Sequence, residues 1–111
     1  MGCLFCRIAT GEIPAQVVLA DDRTLVFRDI NPQAPVHLLA IPRLHIGSAA
    51  ELTEEHAELL SALFGALRAA AREEGVESYR LVTNVGPDAG QSVDHLHLHL
   101  LAGRRLGWPP G

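Results

Sequence analysis

Six histidines occur in this 111-residue chain, and three of them alternate with leucine in one stretch, His95-Leu96-His97-Leu98-His99-Leu100-Leu101. Imidazole is the side chain that serves as base, nucleophile or metal ligand near neutral pH. Successive side chains on a β-strand point to opposite faces, so a strand here would put all three rings on one face, about 6–7 Å apart. The leucines would enter the core from the other face. The stretch follows a glycine-bearing loop, Gly86-Pro87-Asp88-Ala89-Gly90-Gln91-Ser92. Glycines let backbone N–H groups come close to an oxyanion or phosphate, and Gln91 and Ser92 add side-chain donors. Three readings of the histidines are open: a polar sheet face, a catalytic metal site with His-x-His ligands, or covalent catalysis by one histidine beside an anion-binding loop. The loop favours the third.

The elements that must position these residues follow from local pattern. Cys3 to Ile8 forms a short helix, stopped by Gly11 and Pro14. Val17 to Ala20 and Thr24 to Arg28 read as strands joined by the turn residues Asp21-Asp22-Arg23. Asn31-Pro32-Gln33-Ala34-Pro35 is a loop, and His37 to Ile41 is a third strand ended by Pro42. Thr53 is an N-cap, with Glu54 and Glu55 in the first turn. Leu59, Leu60, Leu63, Leu67 and Ala71 then recur at helical spacing as far as Gly75, a C-terminal cap residue. Packing of this helix on a sheet accounts for the leucine stripe, and His56 in its first turn is expected to be solvated. Tyr79 to Asn84 and Asp94 to Ala102 supply two more strands. Strands on either side of one main helix predict a single α+β domain over residues 1–111, with a largely antiparallel sheet.

Composition narrows the partners. The net charge is −4 with histidine neutral, and the nine basic residues are all arginines, scattered along the chain. Polymeric nucleic acid needs a basic stripe, which is not visible, whereas a mononucleotide needs only a local pocket. No apolar run approaches the roughly 20 residues that span a bilayer, and the N-terminal residues lack the apolar stretch of a signal peptide. A cytoplasmic protein without a membrane partner is the expectation. Cys3 and Cys6 are too close in sequence to staple a fold. They read as a redox pair, as two incidental buried thiols, or as half of a zinc site that needs two more ligands.

Gly90-Gln91-Ser92-Val93-Asp94-His95-Leu96-His97-Leu98-His99-Leu100-Leu101 resembles the histidine-triad (HIT) signature, and in particular its nucleotide-binding HINT branch. Gly11-Glu12-Ile13-Pro14, Phe27 to Pro35, Ile41-Pro42-Arg43-Leu44-His45-Ile46 and the terminal Trp108-Pro109-Pro110-Gly111 agree with that branch, so the resemblance covers essentially the whole chain.

The resemblance implies a HIT-like fold: an antiparallel sheet of about five strands with one long and one short helix, continued across a two-fold homodimer. It implies hydrolysis of nucleoside 5′-phosphoramidates with a purine base, giving an AMP-like nucleoside monophosphate and an amine. His97 would attack the α-phosphorus, its other ring nitrogen bonded to a backbone carbonyl that holds the reactive tautomer. His99 would stabilise the charge on the phosphate, and Ser92 would hydrogen-bond the leaving nitrogen. His37 would orient the triad. Asn84, Gly90, Gln91 and Val93 belong to the phosphate-holding segment. Asp29 would accept from the ribose hydroxyls, although it also reads as a turn-capping residue. Phe5, Ile8, Phe27 and Ile30 would form the apolar base pocket, and by composition they are core residues.

This route needs no metal. The cysteine pair, completed as in relatives that carry it, implies a structural zinc site of Cys3, Cys6, His45 and His95. The tail would reach the partner subunit's site. Asp94 stands where many relatives have an aromatic residue, and Arg28 reads as surface variation. Alternative functions are another HIT nucleotide hydrolase or transferase, such as a dinucleoside polyphosphate hydrolase, and a non-enzymatic nucleotide-binding or scaffold protein.

Overall fold

The computed structural model describes residues 2–111. Turn chemistry starts the sheet. The Asp21 carboxylate accepts from the backbone N–H groups of Arg23 (2.9 Å) and Thr24 (2.7 Å) and from the Thr24 hydroxyl (3.0 Å). Those bonds, the Arg23 one foremost, hold its pKa below the ordinary carboxylate value. They fold β1 (Val17–Ala20) back on β2 (Thr24–Arg28). β3 (Val36–Pro42), β4 (Tyr79–Val82) and β5 (Leu98–Ala102) complete an antiparallel sheet in the order β1-β2-β3-β5-β4. α1 (Leu4–Ala9) and α2 (Ala57–Glu73) pack on opposite faces, as the α+β, HIT-like prediction requires.

Leu63, Leu67, Ala70 and Ala71 form the buried stripe of α2 and meet Val26, Leu38, Ala40, Leu96, Leu98 and Leu100. On the other face Phe5 of α1 joins Leu25, Phe27, Leu39 and Ile41. A 3₁₀ turn, Glu54–His56, precedes α2, so the Thr53 cap acts one turn before the α-helix proper. His56 is not merely solvated: its Nδ1 accepts the Thr53 N–H at 3.0 Å, closing a capping box. Gly75, at φ +71°, ends the helix and lets Val76 N–H reach the Ala71 carbonyl at 3.0 Å. Arg28 is more than surface variation, because it donates bidentately to the Glu74 carboxylate (2.9 and 2.7 Å) and ties the sheet to the end of α2.

Two strands are shorter than their sequence pattern. β4 stops at Val82 and β5 begins at Leu98. The backbone between them is spent elsewhere. Leu96 N–H donates to the Ile46 carbonyl (2.6 Å), the His95 carbonyl accepts from the His97 ring (2.6 Å), and the His97 carbonyl accepts from the Thr83 hydroxyl (2.8 Å). The alternation survives without the ladder. Leu96, Leu98 and Leu100 enter the α2 core, while the rings of His95 and His97 pack against Phe5 on the opposite side. Among the described residues no helix is long and apolar enough to cross a membrane.

Candidate active site and metal cluster

His97 is buried, and its Nδ1 lies 2.6 Å from the His95 carbonyl oxygen. A carbonyl only accepts, so Nδ1 carries the proton and Nε2 keeps its lone pair. A second chain of bonds sets His99. The Gln33 backbone N–H donates to His37 Nδ1 at 3.0 Å, which puts the proton of neutral His37 on Nε2. That Nε2–H faces His99 Nδ1 at 2.9 Å, so His99 carries its own proton on Nε2. Burial pushes His99 down to about 4, reinforced by the nearby His97 and His37 charges and opposed by Asp29. Burial likewise lowers His37 against the pull of Asp29, whose Oδ2 lies 3.4 Å from His37 Nε2. Both rings are therefore neutral at physiological pH. The His97 and His99 centroids are 5.1 Å apart, placing a ring with an unprotonated Nε2 beside a ring that carries its proton on Nε2.

The glycine loop is braced from within. Gly86 and Gly90 adopt φ of +86° and +100°, which side-chain-bearing residues rarely do. The Gln91 amide nitrogen donates to the Gly47 (2.8 Å) and Val93 (3.0 Å) carbonyls, and its oxygen accepts Gly86 N–H at 2.8 Å. The side chain of Gln91 is thus a strut and not the spare donor that its type suggested. Gly90 N–H is also committed, to the Pro87 carbonyl at 3.0 Å. Among the described residues the Ser92 and Val93 N–H groups have no protein acceptor. Ser92 is exposed and lines a cleft of about 420 Å³ with Cys3, His45 and Val93. Asn84 lies under Gly90, its Nδ2 being 3.8 Å from where a Cβ would stand.

Asp29 has both readings at once: Oδ1 accepts the Asn31 N–H at 2.8 Å, a turn cap, while Oδ2 faces His37. With Ile30 and Gln16 it lines another cleft, of about 490 Å³. Phe5 and Phe27 are buried with centroids 5.6 Å apart, and Ile8 packs on them. Ile30 differs from these three. It is 99% exposed and no core residue, because it follows β2 into the turn at Asn31.

Cys3, Cys6, His45 and His95 converge from three separate segments of the chain, with ligand atoms all within 4.8 Å of one another. His95 Nε2 lies 2.9 Å from the Pro42 carbonyl and must carry the proton, leaving the Nδ1 lone pair facing Cys3 Sγ (3.3 Å), Cys6 Sγ (3.5 Å) and His45 Nδ1 (3.2 Å). Ligands about 2.0–2.3 Å from a tetrahedral ion stand about 3.3–3.8 Å from each other. The three separations from His95 Nδ1 fall at the short end of that range. Burial and the neighbouring Cys3 sulfur push the Cys6 thiol up, so two thiolates here call for a cation between them. The donor set fits a borderline-soft divalent metal.

Three neutral partners lie outside the residues that the sequence pattern singles out: the Gln33 N–H, the Pro42 carbonyl and the Thr83 hydroxyl. Backbone groups carry no residue-type signal, so only Thr83 was open to discovery. At the C-terminal end Arg80 donates to the Gly107 carbonyl (2.8 Å), and Trp108 is 82% exposed.

The family model "Scavenger mRNA decapping enzyme C-term binding" matches residues 2–106. A HIT family hydrolase of Legionella pneumophila, solved by crystallography, is 51% identical over 99% of this chain and 100% of its own, with a TM-score of 0.97. The 14 kDa zinc-binding protein of Zea mays is 48% identical over 97% of this chain and 87% of its own. Adenylylsulfatase HINT1 of Arabidopsis thaliana is 44% identical over 97% of this chain and 76% of its own. The histidine face, the fold beneath it and these likenesses together establish that the chain belongs to the histidine-triad family, as a homologue of HIT hydrolases.

Proposed function

We propose that the protein hydrolyses purine nucleoside 5′-phosphoramidates to a nucleoside monophosphate and an amine. The observation that carries this reading is the 2.6 Å bond from His97 Nδ1–H to the His95 carbonyl, which leaves Nε2 as a nucleophile. His97 Nε2 attacks the α-phosphorus and forms a nucleotidyl-histidine as the P–N bond breaks. The leaving nitrogen takes up a proton through the Ser92 hydroxyl. Water then cleaves the P–N bond to His97, its oxygen joining the phosphorus and its released proton restoring the Ser92 hydroxyl, and the ring leaves neutral with its proton still on Nδ1. His99 Nε2–H and the uncommitted N–H groups of Ser92 and Val93 neutralise the charge on the phosphoryl oxygens. Asn84 and Gly90 shape that cradle, braced by Gln91, and His37 orients His99. Asp29 keeps lone pairs for the ribose, and Phe5, Ile8 and Phe27 form the apolar wall beside which Ile30 stands exposed.

AMP release from an adenosine 5′-phosphoramidate tests the reading. Turnover by the wild type should fall at least about a thousandfold in His97→Ala, the loss expected when a nucleophile is removed. Wild-type-like turnover in that variant would end the proposal.

A second leaving group is favoured by the Arabidopsis relative named as an adenylylsulfatase. Attack by His97 on adenylyl sulfate expels sulfate, which needs no proton. Ser92→Ala should therefore slow phosphoramidate cleavage about tenfold or more while leaving sulfate release nearly unchanged.

The Cys3, Cys6, His45 and His95 cluster is read as a structural zinc site, in keeping with the zinc-binding relative. The edge strand β4, with its own Tyr79 exposed, suits a sheet continued through a homodimer that the Trp108 tail would complete. Light scattering should then give twice the 11.9 kDa chain mass. A cytoplasmic setting is part of the same reading.

A further inference from the structure

Two segments meet beneath the nucleophile. The peptide plane between His95 and Leu96 is held from both sides: Leu96 N–H donates to the Ile46 carbonyl (2.6 Å), and the His95 carbonyl accepts from His97 Nδ1 (2.6 Å). Each segment also sends a ligand to the cluster, His45 next to Ile46 on one side and His95 on the other, their Nδ1 atoms 3.2 Å apart. A third segment supplies the remaining two ligands, Cys3 and Cys6, which flank Phe5. The Phe5 ring stands edge-on against His97 (5.0 Å, 87°) and His95 (6.0 Å, 73°).

We propose that His95 and Phe5 are positioning residues for His97, and that a divalent metal held by Cys3, Cys6, His45 and His95 keeps both of them in place. The cluster then does more than fasten the N-terminus: it sets which ring nitrogen of the nucleophile bears the proton. This rests on the reading of His97 as the nucleophile only where turnover is concerned.

The metal would reach His97 by two routes. In the first, the His95 ring is gripped at Nε2 by the Pro42 carbonyl (2.9 Å) and at Nδ1 by the cluster, and its own carbonyl fixes the His97 tautomer. Without a cation the four ligands share no common bond, and the His45 and His95 segments are left tied only by the Leu96 N–H to Ile46 carbonyl bond (2.6 Å) and the contact of the His95 ring with the Pro42 carbonyl (2.9 Å). An imidazole that loses its carbonyl acceptor is free to carry its proton on Nε2, where the lone pair for attack is gone. In the second, α1 has only six residues, too few to hold a helix alone. Its ties are the two cysteines, the buried Phe5 and, at its far end, Arg43 Nη1 donating to the Ala9 carbonyl (2.7 Å). Freeing Cys3 and Cys6 loosens the Phe5 ring, which stops the His97 ring from turning.

Long-range ¹H–¹⁵N spectra of the histidine rings test this on the full-length, ¹⁵N-labelled protein. With zinc(II) bound, His97 should show one tautomer, protonated at Nδ1. After chelation both tautomers should appear, kcat should fall about tenfold or more, and zinc(II) should restore each. A folded, metal-free protein whose His97 keeps the single tautomer would overturn the proposal.

Chelation can unfold so small a domain, so Phe5→Leu in the zinc-loaded state provides the second arm. It retains all four ligands and one zinc per chain, and it should show the second tautomer with lowered kcat. An unchanged spectrum and unchanged kcat would equally overturn the proposal. The ring spectrum needs no substrate. A metal-dependent tautomer in a protein that cleaves no phosphoramidate defeats the functional reading alone, and full activity with a metal-independent tautomer defeats the coupling alone.

Discussion

At the scale of single residues, proton placement does the work that distance alone cannot. His97 and His99 are the same residue type on the same face, yet their partners give them opposite ends: a carbonyl at His97 Nδ1, and an N–H donor at His99 Nδ1. Removing His37 should therefore lower kcat by about ten- to a hundredfold, the usual cost of losing a partner that orients a histidine. Steady-state kinetics of His37→Leu would check this, with His97→Ala as the floor. His99 also makes a pH prediction. Its pKa is about 4 in the fold against 6.5 ordinarily, so within that window the unfolded chain binds a proton that the native chain refuses. Native stability is fully supported above 6.5 and is lost as pH falls toward 4. Urea midpoints across that range should drop less steeply in His99→Asn than in the wild type. The slope should persist in part, because burial depresses His37 and His95 as well.

At the scale of elements, α2 and the sheet hold the histidine face from behind. Leu67 has no exposed surface and packs among the leucines that alternate with the triad. Leu67→Ala should cost about 2–5 kcal/mol in chemical denaturation, the range for a cavity in such a core. The Arg28–Glu74 bridge joins the two layers at the end of the helix, but the Arg28 side chain is 41% exposed. A double-mutant cycle on the pair should return about 1 kcal/mol or less, since solvent screens a charge that open. The sheet thus depends on its apolar contact with α2 far more than on its ion pair.

For the whole molecule, the metal cluster joins the N-terminus, the segment after β3 and the segment before β5. A ligand that binds only the native state stabilises it by about 2.7 kcal/mol at a hundredfold excess over its Kd. Chelation should accordingly lower the thermal midpoint by about 10 °C in a domain of this size. Native mass spectrometry should find one zinc per chain, and none in a Cys3→Ser, Cys6→Ser double variant.

Much of this protein is written in local pattern. Alternation at Leu96, Leu98 and Leu100 fixes which face receives the histidines. The spacing of Leu63, Leu67 and Ala71 fixes the face of α2, and Asp21 closes its own turn through neighbours in the chain. Each of these depends on residues a few positions apart, where periodicity and side-chain type suffice. The rest needed the folded chain. Whether Gln91 is a ligand donor or a strut, whether Arg28 is surface or bridge, and where β5 begins are decided by partners in distant segments. So are the tautomers of His37, His95, His97 and His99, three of which rest on a backbone N–H or carbonyl. Hydrogen bonds are directional and short, and a backbone group is identical at every position. Only the sheet register and the packing of α1 determine which one a given ring meets.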